Sequence, residues 1–129
     1  MEIRPGIKRT QKFIVKEEHT AFHIGSGSLR VLSTPTMIAF IENTALNLLD
    51  EYLETGFSSV GTRVDVRHLA PSKMGSQIRV QVEVTEVSGD KITLTVAAWD
   101  GETPVGAGTH QRYIIQVERF LQRLEPTER

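Results

Sequence analysis

Residues 37–53 read MIAFIENTALNLLDEYL, and the return of apolar residues at spacings of three and four marks an amphipathic helix rather than a strand. Ile38, Glu42, Ala45, Leu49 and Tyr52 fall along one line of that helix, so an ionisable carboxylate stands in its apolar stripe. Burying an unpaired carboxylate costs several kcal/mol. Glu42 is therefore expected either to meet a specific donor or to be kept for chemistry. Upstream stand Thr34 and Pro35. Proline suits the first helical position and a threonine before it can cap, which makes Thr34 the expected N-cap. Gly56 is expected to close the helix in a left-handed conformation.

Beyond the helix the period changes from 3.6 to 2. In the first alternating segment Val60, Val64 and Val66 share one face and Arg63, Asp65 and Arg67 take the other. In the second, Ile78, Val80, Val82 and Val84 oppose Arg79, Gln81 and Glu83. Ile92, Leu94, Val96 and Ala98 form the apolar side of a third, joined to the second by the short turn Ser88-Gly89-Asp90, a hairpin signal. A turn at Asp100-Gly101 leads to a last strand through Tyr113, Ile115 and Val117, and VERFLQRL (117–124) suits one or two helical turns. Ahead of the helix, residues 12–16 read as a short first strand, 25–28 as a Gly/Ser-rich turn and 29–32 as a brief extended piece. One long apolar helix and an antiparallel sheet of about five strands with one apolar face have a simple packing solution, in which the sheet wraps the helix. The expected class is α+β, a hot-dog fold. The helix is apolar nearly all round, which suits cover by a second subunit, so a homodimer or a higher homo-oligomer is expected.

At 129 residues the chain makes one domain, 1–129, able to bury roughly two-thirds of its unfolded surface. Its 15 basic and 16 acidic side chains nearly balance, which leaves no electrostatic footprint for nucleic acid or a membrane surface. Cysteine is absent. That excludes disulfides, thiolate metal sites and a cysteine nucleophile, so any catalysis falls to oxygen and imidazole groups. The opening MEIRPGIKRTQKF lacks the apolar run of a signal peptide, and no stretch approaches the roughly 20 apolar residues that span a bilayer. A soluble, cytoplasmic protein is expected.

Strand alternation places His68 on the same face as Val60, Thr62, Val64 and Val66, pointing inward at the strand's end before Leu69-Ala70-Pro71. An imidazole there is either satisfied by a backbone carbonyl or serves as general base or acid, for which its near-neutral pKa suits it. Thr34 has two compatible roles, capping the helix and setting a hydroxyl beside its free N–H groups, where a carbonyl oxygen gaining charge can be held. The run Gly106-Ala107-Gly108-Thr109-His110-Gln111-Arg112 lacks the ending of a phosphate loop. Its glycines mark a bulge or a close backbone approach, and Arg112 is either a surface charge or a partner for ligand phosphates beside a glycine-widened groove. His19, His23, His68 and His110 are scattered and no paired-ligand spacing occurs. No metal is expected.

Taken together these residues resemble the fluoroacetyl-CoA thioesterase family of hot-dog proteins. That family's pattern is a Thr, a Glu eight residues later on the central helix and a His 26 residues further on the next strand, and here it falls on Thr34, Glu42 and His68. GTRVDVRHLAPSKMG (61–75) and WDGETPVGAGTHQRYIIQVERF (99–120) match in character, and the similarity runs from about residue 13 to 120. The resemblance implies hydrolysis of an acyl-CoA thioester without metal or cofactor, coenzyme A being part of the substrate. Glu42 and His68 would supply the nucleophile or general base, and Thr34 would polarise the carbonyl or orient water. Either Glu42 attacks to give an anhydride, or Glu42 and His68 activate water. Gly61 is implied as a substrate-binding position, and Arg112 would meet the phosphates of coenzyme A. Eight helical residues span roughly 12 Å, so the site needs Thr34 folded back over the helix start or residues from two subunits. The family's lid of phenylalanines has no counterpart in HIGSGSLRVLS (23–33), which points to an ordinary small or medium acyl group. Two rivals are a non-catalytic acyl-CoA binding or sensing module and a hot-dog hydratase.

Overall fold

The computed structural model describes residues 2–126. Strand β1 (Lys8–Ile14) leads through a 3-10 turn at Glu17–His19 and the short helix α1 (Ala21–Ile24) to the long helix α2 (Thr34–Asp50). Then follow β2 (Phe57–His68), β3 (Gln77–Ser88), β4 (Lys91–Asp100), β5 (Thr103–Gln116) and a short helix α3 (Val117–Gln122). The strands form one antiparallel sheet in the order β1-β3-β4-β5-β2. α2 packs against its inner face, the α+β hot-dog arrangement.

The alternation in β3 and β4 is realised residue for residue: Ile78, Val80, Val82 and Val84 are buried, as are Ile92, Leu94, Val96 and Ala98. Against them lie Met37, Ile41, Ala45, Leu48 and Leu49 of α2. Each large apolar side chain removed from water there contributes roughly 1.5–3 kcal/mol. Both hairpins turn on two residues led by a glycine, Gly89 and Gly101, each at φ 62°, the conformation that a glycine-first two-residue turn requires.

Several boundaries depart from expectation. β1 starts earlier, because its pairing with β3 runs from Lys8 opposite Glu83 to Ile14 opposite Gln77. α2 ends at Asp50 with Glu51 as its C-cap. Gly56 does adopt the left-handed conformation, φ 94°, but in the turn into β2. Val117 opens α3, whose start is capped by the Gln116 side chain accepting from Arg119 N.

The informative departure lies in β2. Gly61 pairs with Arg112 and Arg63 with Gln111, so Thr62 is an extra residue, a β-bulge. A bulge shifts the phase of everything before it. Val64, Val66 and His68 keep the inward face expected for them, whereas Val60 and Thr62 yield it to Ser59 and Gly61.

Candidate active site

The start of α2 is set by Ser33, not by Thr34. Ser33 has extended backbone, φ −76° and ψ 149°, and its Oγ accepts from Thr36 N at 3.1 Å, the ordinary N-cap bond. Thr34 is thereby the first helical residue and Pro35 the second. With Ser33 making the capping bond, the threonine hydroxyl is left for another partner. Thr34 Oγ1 lies 2.8 Å from His68 Nδ1, joining the first turn of α2 to the last residue of β2.

His68 is half-buried, and its Nε2 is buried with no hydrogen-bond partner among the described residues. An unmet buried polar atom costs roughly 1–3 kcal/mol. Burial pushes the His68 pKa below its ordinary 6.5, with the Ala70 backbone opposing the shift. The imidazole is thus held in its neutral, basic form. Thr34 and His68 line a cavity of about 360 Å³ together with Ala21, Val31, Leu69 and Pro71.

Glu42 belongs to a second cluster. It sits on the flank of α2 with its side chain 41% exposed in the single chain, so the buried stripe of the helix lies one position over from the line read in the sequence. Its carboxylate rests over Gly61: a Cβ at that glycine would meet Glu42 Oε2, His110 Cε1 at 3.2 Å and Arg112 Nη1 at 3.3 Å. Any side chain there would have to displace the Glu42 carboxylate, and the bulge is what turns the glycine inward. Glu42 and Gly61, with Asn43, Leu46, Ser58 and Arg112, line a second cavity of about 470 Å³.

Arg112 is not a surface charge. It is buried, and its Nε donates to Ser59 Oγ at 2.8 Å and its Nη2 to the Ser59 carbonyl at 2.9 Å. Nη1 donates to His110 Nε2 at 3.2 Å and stands 4.0 Å from Glu42 Oε2, a separation for charge attraction rather than a hydrogen bond. With these donors engaged inside the fold, Arg112 presents Nη1 to the Glu42 carboxylate at the wall of the second cavity. Burial lowers its pKa, with Glu42 and then Asp50 opposing the shift.

Sequence reasoning passed over two members of this cluster, Ser59 and His110. His110 is fully buried. Its Nδ1 lies 2.8 Å from the Arg63 carbonyl, which can only accept, while Arg112 can only donate to Nε2. Those partners fix the neutral tautomer protonated at Nδ1. Burial also lowers the pKa of His110; the Arg63 carbonyl opposes the shift, the Arg112 charge adds to it and Glu42 opposes it. The available signal was parity: His110 and Arg112 share the strand face of Gly106 and Gly108, where close approach to Met37 and to β2 leaves no room for a Cβ. Among the described residues no three His, Asp or Glu side chains gather as a metal site would require.

The described residues thus form two separate polar clusters. Thr34 and His68 meet at one end of β2, and Glu42, Gly61 and Arg112 meet toward the other. The strand between Gly61 and His68 is roughly 20 Å long, so Glu42 does not join the Thr34–His68 pair within one chain.

Residues 15–118 match the family model described as fluoroacetyl-CoA-specific thioesterase. The fluoroacetyl-CoA thioesterase of Streptantibioticus cattleyicolor is 32% identical over 124 residues, covering 92% of this chain and 89% of that protein. Among solved structures, a point mutant of the fluoroacetyl-CoA-specific thioesterase in complex with fluoroacetate and CoA superposes with a TM-score of 0.87. It is 31% identical, and the match covers 92% of this chain and 99% of that one. A hot-dog-like protein from Thermanaerovibrio acidaminovorans gives a TM-score of 0.85 at 28% identity, covering 93% of this chain and 89% of that one. With the family model spanning most of the chain and the fold in agreement, the chain belongs to the fluoroacetyl-CoA-specific thioesterase family, a family of thioester-hydrolysing enzymes.

Proposed function

We propose that this protein hydrolyses an acyl-CoA thioester to the free acid and coenzyme A, using Thr34, Glu42 and His68 at a site completed by a second copy of the chain. The observation that carries this reading is the Thr34–His68 pair, 2.8 Å apart beside an open cavity. A neutral imidazole bonded to a hydroxyl is a competent general base. Water held by Thr34 attacks the thioester carbonyl carbon as His68 takes its proton, and the tetrahedral intermediate then collapses. The C–S bond breaks, and the departing thiolate takes up a proton. Thioesters need no metal for this, since the carbonyl is already electrophilic and the thiolate leaves easily.

Glu42 fits as the carboxylate that orients the water or shares its proton, steadied by Arg112. The distance between the two clusters favours assembly across a two-fold axis. The outer edge of β2 supports the same reading, since a twelve-residue strand at the end of the sheet presents unpaired N–H and C=O groups suited to another strand. Around Thr34 and His68 the cavity is walled by Ala21, Val31, Leu32, Leu69, Ala70 and Pro71. Among the described residues no carboxylate or ammonium group stands in that wall, which suits an uncharged small or medium acyl group.

The test is a panel of acyl-CoAs incubated with the purified protein and a thiol reagent. Release of free thiol that collapses in Glu42→Ala and His68→Ala is the expected result. Binding of the same acyl-CoAs with no thiol released would contradict hydrolysis and favour a sensing module.

A further inference from the structure

The bulge at Thr62 does more than turn Gly61 inward, for it also sets the Arg63 carbonyl against the imidazole of a buried histidine on β5. From there a single line of contacts leads to the acid: Arg63 O accepts from His110 Nδ1 at 2.8 Å, His110 Nε2 accepts from Arg112 Nη1 at 3.2 Å, and that same Nη1 faces Glu42 at 4.0 Å. Ser59 grips the other side of the guanidinium through Nε and Nη2. An arginine has five N–H donors and no acceptor, so an imidazole lone pair is a specific choice of partner. It holds Nη1 without neutralising the charge. A carboxylate at position 110 would pair with Arg112 outright and weaken its pull on Glu42.

We infer that His110 is a positioning residue for the proposed thioesterase site: it anchors Arg112 to the β2 bulge so that the guanidinium faces the Glu42 carboxylate beside Gly61. This rests on the thioesterase reading above. His110 is fully buried, so its effect passes through Arg112. The geometry requires its Nε2 to carry a lone pair. A proton there would set a second cation against the guanidinium and break the bond. The charged groups facing it are Arg112 on its own strand and Glu42 from α2, with the Arg63 backbone carbonyl from β2.

Two substitutions separate the two bonds of the imidazole. His110→Asn can still donate toward the Arg63 carbonyl but offers nothing to Arg112, whereas the longer side chain of His110→Gln can place an acceptor where Nε2 stands. The expected result is a fall in kcat of about tenfold or more in His110→Asn, the scale of loss when a reacting group is slightly misplaced, with KM little changed. In His110→Gln most of the rate should remain. In an Arg112→Lys background His110→Asn should cost little more, because coupled residues are not additive. A readout independent of turnover is the Arg112 guanidinium by ¹⁵N NMR, where restrained rotation gives separate Nη1 and Nη2 signals. These should persist in the wild type and His110→Gln and merge in His110→Asn. Separate signals retained in a folded His110→Asn, or losses in kcat that add fully to those of Arg112→Lys, would overturn the inference. A wild type that releases no thiol would instead overturn the thioesterase reading, and the guanidinium signals would still decide the role of His110.

Discussion

Thr34 Oγ1 and His68 Nδ1 are held 2.8 Å apart because a different residue, Ser33, caps α2 through Thr36 N. The cap and the contact to His68 are thus divided between neighbours, and the two can be tested separately. Thr34→Val should remove the hydroxyl and lower kcat by about 10²-fold, the order of loss for one oriented polar group at a reacting carbonyl. Thr34→Ser should retain most of the rate. Ser33→Ala should instead cost about 1 kcal/mol of stability, read by denaturant unfolding, with a much smaller effect on kcat.

At Gly61 the backbone is not left-handed, so an alanine meets no strain in the main chain. Its Cβ would, however, run into the Glu42 carboxylate, with His110 and Arg112 behind it. Gly61→Ala is expected to displace Glu42, a flexible and half-exposed side chain, at little cost in melting temperature. The rate should fall about tenfold or more through misplacement of the carboxylate. Steady-state kinetics with a thermal melt checks both halves of this expectation.

Burial lowers the pKa of both His68 and His110 below the ordinary 6.5, and the sign of the consequence follows from linkage. Between the lowered folded value and 6.5 the unfolded chain binds protons that the folded chain refuses, so stability is full above about pH 6.5 and declines as the pH falls below it. Melting temperatures measured from pH 7.5 down to pH 5 should decrease, and His110→Gln should flatten the decline. If His68 works as the proposed base, activity should share the direction, with kcat falling in acid at a midpoint below 6.5.

Much of this fold was legible because a solvated antiparallel hairpin alternates cleanly. Ile78 to Val84 and Ile92 to Ala98 lie buried as their parity requires. In β2 the same rule failed at one residue: nothing in VGTRV announces that Thr62 is extra, and the bulge moved Ser59 and Gly61 inward in place of Val60 and Thr62. The cap slipped by one position for a similar reason, since Ser33 and Thr34 are both good caps and only tertiary structure, by engaging Thr34 with His68, separates them. The turns at residues 17–24 went unread because segments of three and four residues carry no periodicity. His110 was hidden by its chemistry. A polar residue at an inward position looks like any outward one until its partners, a bulge carbonyl and a buried arginine, are in place.

Whether Thr34 and His68 of one chain work with Glu42 of another is read by mixing Glu42→Ala with His68→Ala, after unfolding and joint refolding to exchange subunits. Neither variant alone should release thiol at a useful rate. In the mixed dimer one of the two composite sites regains all three residues, so activity should return to about a quarter of the wild-type value for random pairing. A mixture that exchanges subunits yet stays as inactive as its components would rule out a site shared between two chains.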